Sequence, residues 1–127
     1  MVLNELSEKI IGCYYAVYNG LGFGFLEKVY ENAIAIELRT NGLVVVQQQS
    51  MSISYRGIVV GEYQADIIVN NRVILELKTS DNTHHTHEAQ LIHYLKATSK
   101  PLGLLLYFGN KAIVRRVLNI KESVESV

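Results

Sequence analysis

The chain has a single cysteine, Cys13, and a single proline, Pro101, and its formal net charge is zero. One cysteine excludes an intrachain disulfide and fits a reducing, cytoplasmic setting. Zero net charge, from twelve basic and twelve acidic side chains, argues against a sequence-blind polyanion binder, which usually carries a basic excess. A nucleic-acid partner would then need its basic groups gathered on one face, or supplied by a second subunit of a homodimer. No stretch is long and apolar enough to span a membrane. No internal repeat, low-complexity segment or linker interrupts the 127 residues, which suffice for one domain, 1–127, around one sizeable core.

What is present is an ordinary globular balance. Apolar residues make up 49% and charged residues 19% of the chain, enough to exclude disorder. The run Ile10-Ile11-Gly12-Cys13 has the look of a lipoprotein cleavage box. Glu5, Glu8 and Lys9 break its apolar core and no basic start precedes it, so that reading is rejected.

Leu3, Leu6, Ile10, Cys13, Tyr14 and Val17 recur at helical spacing and predict one amphipathic helix. Gly20, Gly22 and Gly24 should end it in a positive-φ connection. A second helix follows, with Leu26, Val29, Ala33 and Ile36 expected to face inward and Asn41-Gly42 to end it. Strands are expected over Leu43–Gln49, Met51–Tyr55, Gly61–Val69 and Val73–Thr79, with a turn at Arg56-Gly57. A helix from Thr86 to Thr98 carries Leu91, Ile92 and Leu95, and Pro101 prevents its extension. Leu102 to Phe108 is an apolar run suited to a strand covered on both faces. Ala112 to Leu118 is a last, more exposed strand, and the tail after Asn119 should fray.

Two strands carry the chemistry. Tyr63, Ala65, Ile67 and Val69 would share one face, as would Val73, Leu75 and Leu77. If both face one core, Asp66 must lie beside Glu76, and Gln64 beside Lys78. A two-residue Asn70-Asn71 turn would mix polar and apolar faces, because a one-residue slip inverts every side chain. A three-residue loop, Asn70-Asn71-Arg72, or a compensating bulge is therefore predicted. Two adjoining carboxylates are costly unless neutralised. Lys78 neutralises one charge, and a hard cation would hold both: magnesium, or manganese in its place. Such an ion activates water and offsets charge on a phosphate, and a lysine two residues after a ligand can reach either. Glu-x-Lys alone also occurs as a weak pair on solvated strand faces; the matching register of Asp66 is what sets this one apart.

These residues resemble the Asp…Glu-x-Lys signature of the PD-(D/E)xK nuclease superfamily. Gly24-Phe25-Leu26-Glu27-Lys28-Val29-Tyr30 is similar to the motif of the GxxExxY protein family, and His87-Glu88-Ala89-Gln90-Leu91-Ile92-His93-Tyr94 to the helix following that family's Glu-x-Lys strand. The resemblance runs from about Glu5 to Leu118. It implies a restriction-endonuclease-like α/β (α+β) fold, a mixed β-sheet flanked by helices in the order α-α-β-β-β-β-α-β-β. It also implies a metal-dependent nuclease, with DNA as the first choice of substrate and RNA as the second. Asp66, Glu76 and the Leu77 carbonyl would be metal ligands, Lys78 the catalytic lysine and Glu27 an additional acid. Gln90 and Tyr94 would orient the lysine or a phosphate, and His87, on the same helix face, would look toward substrate.

The chain departs from that pattern at Phe23, expected as proline, at Tyr18, often histidine, and at Gln64, where arginine is common beside the aspartate. The missing arginine removes one phosphate contact. With the neutral charge, it keeps a non-catalytic binding or assembly module as the alternative. His84, His85 and His87 lack an accompanying cysteine and are read as solvated or substrate-facing, not as a transition-metal site.

Overall fold

The computed structural model of the chain describes residues 1–119; the tail expected to fray, after Asn119, therefore lies outside the described residues. Two helices, α1 (Leu3–Leu21) and α2 (Glu27–Thr40), precede three strands, β1 (Val45–Tyr55), β2 (Ile58–Val69) and β3 (Val73–Lys78). Helix α3 (His85–Thr98) then leads to β4 (Leu102–Phe108) and β5 (Ala112–Leu118). The sheet order is β1-β2-β3-β4-β5, antiparallel throughout except for the parallel β3–β4 pair joined through α3.

The expected mixed sheet flanked by helices is what the chain adopts, with five strands in place of six. Leu43–Gln49 and Met51–Tyr55 fuse into one strand, β1, and β2 begins at Ile58, before Gly61. The gap between them, Ser50, is ordinary strand; the irregularity comes two residues earlier, at Gln48, whose φ of 54° is left-handed. No side-chain type in that stretch announces such a residue.

Helices α1 and α2 cover one face of the sheet. Leu6, Ile10, Cys13, Tyr14 and Val17 of α1 pack with Ile67, Val69, Leu75, Leu77 and Leu104. Helix α1 runs through Gly20 and stops at Gly22 (φ 69°), whose N–H donates to the Tyr18 carbonyl at 2.8 Å. The inward stripe of α2 is Tyr30, Ile34, Ala35 and Leu38, together with Glu31. Leu26, Val29 and Ile36, expected inside, are exposed. The two stripes are one residue apart on the helix, and Tyr30 decides between them: its ring stacks on Phe108 at 4.2 Å and its hydroxyl donates to the Gly22 carbonyl at 2.6 Å.

On the other face, α3 sets Leu91 and Leu95 against Tyr63, Ile68, Ile74, Leu105 and Tyr107. Gly103 permits this approach: a Cβ there would meet Leu91 Cδ2 at 2.7 Å. β4 is buried along its whole length, as a strand covered on both faces should be.

The hairpin between β2 and β3 closes with Val69 opposite Val73, so Asn70, Asn71 and Arg72 form the three-residue connection. Asn70 and Asn71 both adopt positive φ, and the Arg72 N–H donates to the Val69 carbonyl at 3.0 Å. Arg72 is the additional residue that keeps polar and apolar faces in phase.

Candidate active site

The β2–β3 ladder ends at the Ile67–Leu75 pair. Beyond it Asp66 takes over the pairing through its side chain: the Leu77 N–H donates to Asp66 Oδ2 at 2.8 Å. The next position on β3 toward the same end is Glu76, so the two carboxylates lie side by side where the strands begin to part. On this point the alternation argument is right.

It is wrong further out on β2. Tyr63 and Ala65 were expected to share a face with Ile67 and Val69. Instead they pack with Ile68 and Ile74 beneath α3, while Ile67 and Val69 face α1 and α2. The faces exchange at Asp66, between β1 partners Gln47 and Gln49 and opposite the left-handed Gln48. This exchange brings the Tyr63 hydroxyl to Glu76 Oε1, to which it donates a short hydrogen bond.

The electrostatics follow from that crowding. Burial first, then the charge of Asp66, raises the Glu76 carboxyl to about 8, against smaller opposing effects of the Tyr63 hydrogen bond and Lys78. Glu27, the first residue of α2, is exposed. Even so, partial desolvation and then the charge of Asp66 raise its carboxyl, while Lys78 acts to lower it. Burial likewise raises the Tyr63 hydroxyl, ahead of the charge on Glu76.

A cavity of about 280 Å³ opens on the α3 side of this cluster. Gln64, Glu76, Lys78, His87, Gln90 and Tyr94 all line it. Gln64 and Lys78 both border this space, but the ladder does not extend to pair them, and the shared face from which their adjacency was expected breaks at Asp66. Tyr94 stacks on Tyr63 at 3.6 Å with the rings nearly parallel. His87 Nδ1 lies 3.0 Å from the Tyr107 hydroxyl, and burial, then Lys78 and His84, lowers its imidazole pKa. Asp66 and Glu27 do not line the cavity; Glu27, on α2, feels the charges of both Asp66 and Lys78. The predicted site residues therefore form a cavity group and a pair of acids outside its lining.

The donor set consists of oxygens, which suits magnesium or manganese better than a thiophilic or imidazole-seeking ion. Among the described residues no three His, Cys, Asp or Glu side chains already surround one point. A cation here would take two carboxylates and complete its shell with water and the Leu77 carbonyl, as magnesium commonly does. His84, His85 and His87 do not form such a group either.

Three residues of the site escaped sequence reading: Tyr63, Glu31 and Gln48. Glu31 is 3% exposed and accepts hydrogen bonds from Gln48 at 2.6 Å, Gln47 at 2.7 Å and Lys28 at 3.0 Å. Its position one helical turn after Glu27 was the available signal.

A family model for the PD-(D/E)XK nuclease superfamily matches residues 4–117. Among solved structures, the crystal structure of SSO0001 is similar, with 22% sequence identity and a TM-score of 0.58 over 72% of this chain and 50% of that one. At that identity the likeness is one of fold, and this chain matches half the length of that protein. No curated protein matches. Among the described residues no helix is long and apolar enough to cross a membrane.

Proposed function

Since this chain belongs to the PD-(D/E)XK nuclease superfamily, whose members are nucleases that in general use divalent metals, we propose that it hydrolyses phosphodiester bonds, in DNA before RNA, with magnesium or manganese. One observation carries this reading: Asp66 and Glu76 meet where the β2–β3 ladder ends, beside a cavity that Lys78 also lines.

Asp66 and Glu76 would hold the cation, with the Leu77 carbonyl as a further oxygen. When bound, the ion supplies Lewis acidity, which makes water a better nucleophile and offsets charge on the phosphate. The protein's own groups do the rest. Lys78 presents an ammonium in the cavity, where it attracts phosphate oxygens and balances the acids. The Tyr63 hydroxyl restrains Glu76 in one rotamer. Gln90, on the cavity wall, offers an amide to a phosphate, and His87 offers its free ring nitrogen. Tyr94 fixes Tyr63 by stacking. Glu27 adds negative charge behind Asp66, which raises the cluster's attraction for a cation.

The test is a cleavage assay on single-stranded, duplex and branched DNA with magnesium, manganese or chelator. Cutting should require metal. Asp66→Asn keeps an acceptor for the Leu77 N–H, so the fold should hold. Its loss of activity should exceed the roughly 100-fold that even outer-shell changes cost at metal sites. Equal cutting by wild type and variant would sink the assignment.

A non-catalytic module on the same fold is the second reading. The zero net charge and Gln64 in place of arginine favour it. Magnesium titration followed by thermal melting separates the two: a bound ion raises the melting temperature with ligand excess, whereas a module without a metal site shows no shift.

A further inference from the structure

Gln47 and Gln48 are neighbours on a strand, so their side chains should point to opposite faces. Both nevertheless donate to the same buried carboxylate, Gln47 Nε2 to Glu31 Oε2 at 2.7 Å and Gln48 Nε2 to Glu31 Oε1 at 2.6 Å. The left-handed φ of Gln48, 54°, makes this possible by turning its side chain out of the alternation. A residue with a Cβ is disfavoured there by about 1–2 kcal/mol. Strain of that kind persists where surrounding contacts enforce it, and it concentrates at functional sites.

The Gln48 amide has a second neighbour. Its Nε2 lies 3.4 Å from Asp66 Oδ1, while Asp66 Oδ2 is fixed by the Leu77 N–H at 2.8 Å. Asp66 is thus held firmly at one oxygen and loosely at the other. Each oxygen keeps a further lone pair for a cation, and with no contact at Oδ1 the carboxylate could swing about its bond to the Leu77 N–H. Glu31 holds the amide in that place, and Lys28, 3.0 Å away, balances its charge.

We propose that Glu31 and Gln48 are positioning residues: through the Gln48 amide, buried Glu31 sets the rotamer of the Asp66 carboxylate for cation binding. The cation part of this statement rests on the function proposed above; the restraint on Asp66 does not.

Gln48→Gly tests it cleanly. Glycine adopts positive φ at no steric cost, so the strand should keep its path while the amide is gone; relief of strain offsets part of the cost of leaving Glu31 Oε1 without its donor. Two readouts follow. In metal-free protein, exchange of the Leu77 amide proton, which reports on Asp66, should accelerate several-fold. In a magnesium titration, the half-saturating concentration should rise about 10-fold, the lower end for changes to residues that hold a metal ligand in place. Glu31→Gln, which keeps the side-chain volume but halves the accepting capacity, should move both in the same direction by less. A purely structural tie between α2 and β1 would lower the melting temperature and leave both readouts unmoved, and that result overturns the proposal. If wild type takes up no magnesium but Leu77 exchange accelerates in Gln48→Gly, the positioning stands and the cation assignment falls. If wild type takes up magnesium and Gln48→Gly does so equally well, the positioning falls and the cation assignment stands.

Discussion

Tyrosines on the two faces of the sheet use their hydroxyls differently. On the α1/α2 face, Tyr14, Tyr18 and Tyr30 donate to backbone carbonyls, of Tyr107, Gly109 and Gly22. Their rings pack around Phe108. These are fastenings: they tie helix to strand end and loop to helix, with no titratable partner. On the α3 face, Tyr63 donates to Glu76, and Tyr107 meets His87. The same residue type there orients groups that can change charge. The first face is closed by aliphatic side chains along four strands, while the second opens at one end into the cavity. The cavity and the Phe108 cluster thus lie on opposite faces of one sheet, linked through Asp66 and Gln48 to Glu31 of α2, and faults introduced at the cavity or at Phe108 should have different signatures.

The largest effect is expected at the closed face. Phe108 is buried, stacked on Tyr30 and edge-on to Tyr14 at 4.9 Å. Phe108→Ala should cost about 3–5 kcal/mol in urea unfolding, the usual range for a buried aromatic. Tyr94→Ala, removing a partly buried ring from the α3 face, should cost clearly less while changing cavity behaviour. Equal losses in the two variants would erase the distinction between the faces.

A pH effect should come from the other face. The Glu76 carboxyl is ordinarily near 4.5 and stands at about 8 in the fold. Below pH 4.5 it is protonated whether the chain is folded or not. Above that, unfolding releases a proton, and as pH rises through 8 the folded protein must carry an ionised, partly buried carboxylate. Without metal, stability should therefore fall between pH 4.5 and 8, by on the order of 2 kcal/mol after allowing for partial solvation. Glu76→Gln in chelator should flatten that slope. A slope that survives in the variant would place the titrating group elsewhere.

Much of this arrangement was legible in the sequence, and the failures share one cause. The β2–β3 register could be read because only one loop length kept Asp66 with Glu76 and the apolar residues together. The stripe of α1 could be read because one helix face alone was apolar. Alternation failed at Gln48, since glutamine carries no mark of a left-handed backbone; the contact that enforces it comes from Glu31, on another element. The α2 stripe failed for a related reason. An acidic residue at 31 argues for an outward face, and only donors from Lys28, Gln47 and Gln48 make it a buried one. Periodicity reports on local chain and solvent; it cannot report on partners supplied by tertiary structure.

The smallest expected effect tests how the two faces meet. Gly103 on β4 lets α3 close onto the sheet, and an added methyl would lie 2.7–3.1 Å from three atoms of the Leu91 side chain. Those atoms end a flexible side chain, so Gly103→Ala should fall toward the lower end of the roughly 1–3 kcal/mol that overpacking costs. Leu91 also lines the cavity, one residue from Gln90. The displacement should therefore weaken substrate binding more than its small stability cost suggests, raising KM with kcat nearly constant. A stability loss with KM unchanged would mean that α3 tolerates displacement and that the cavity wall is set by β2 and β3 alone.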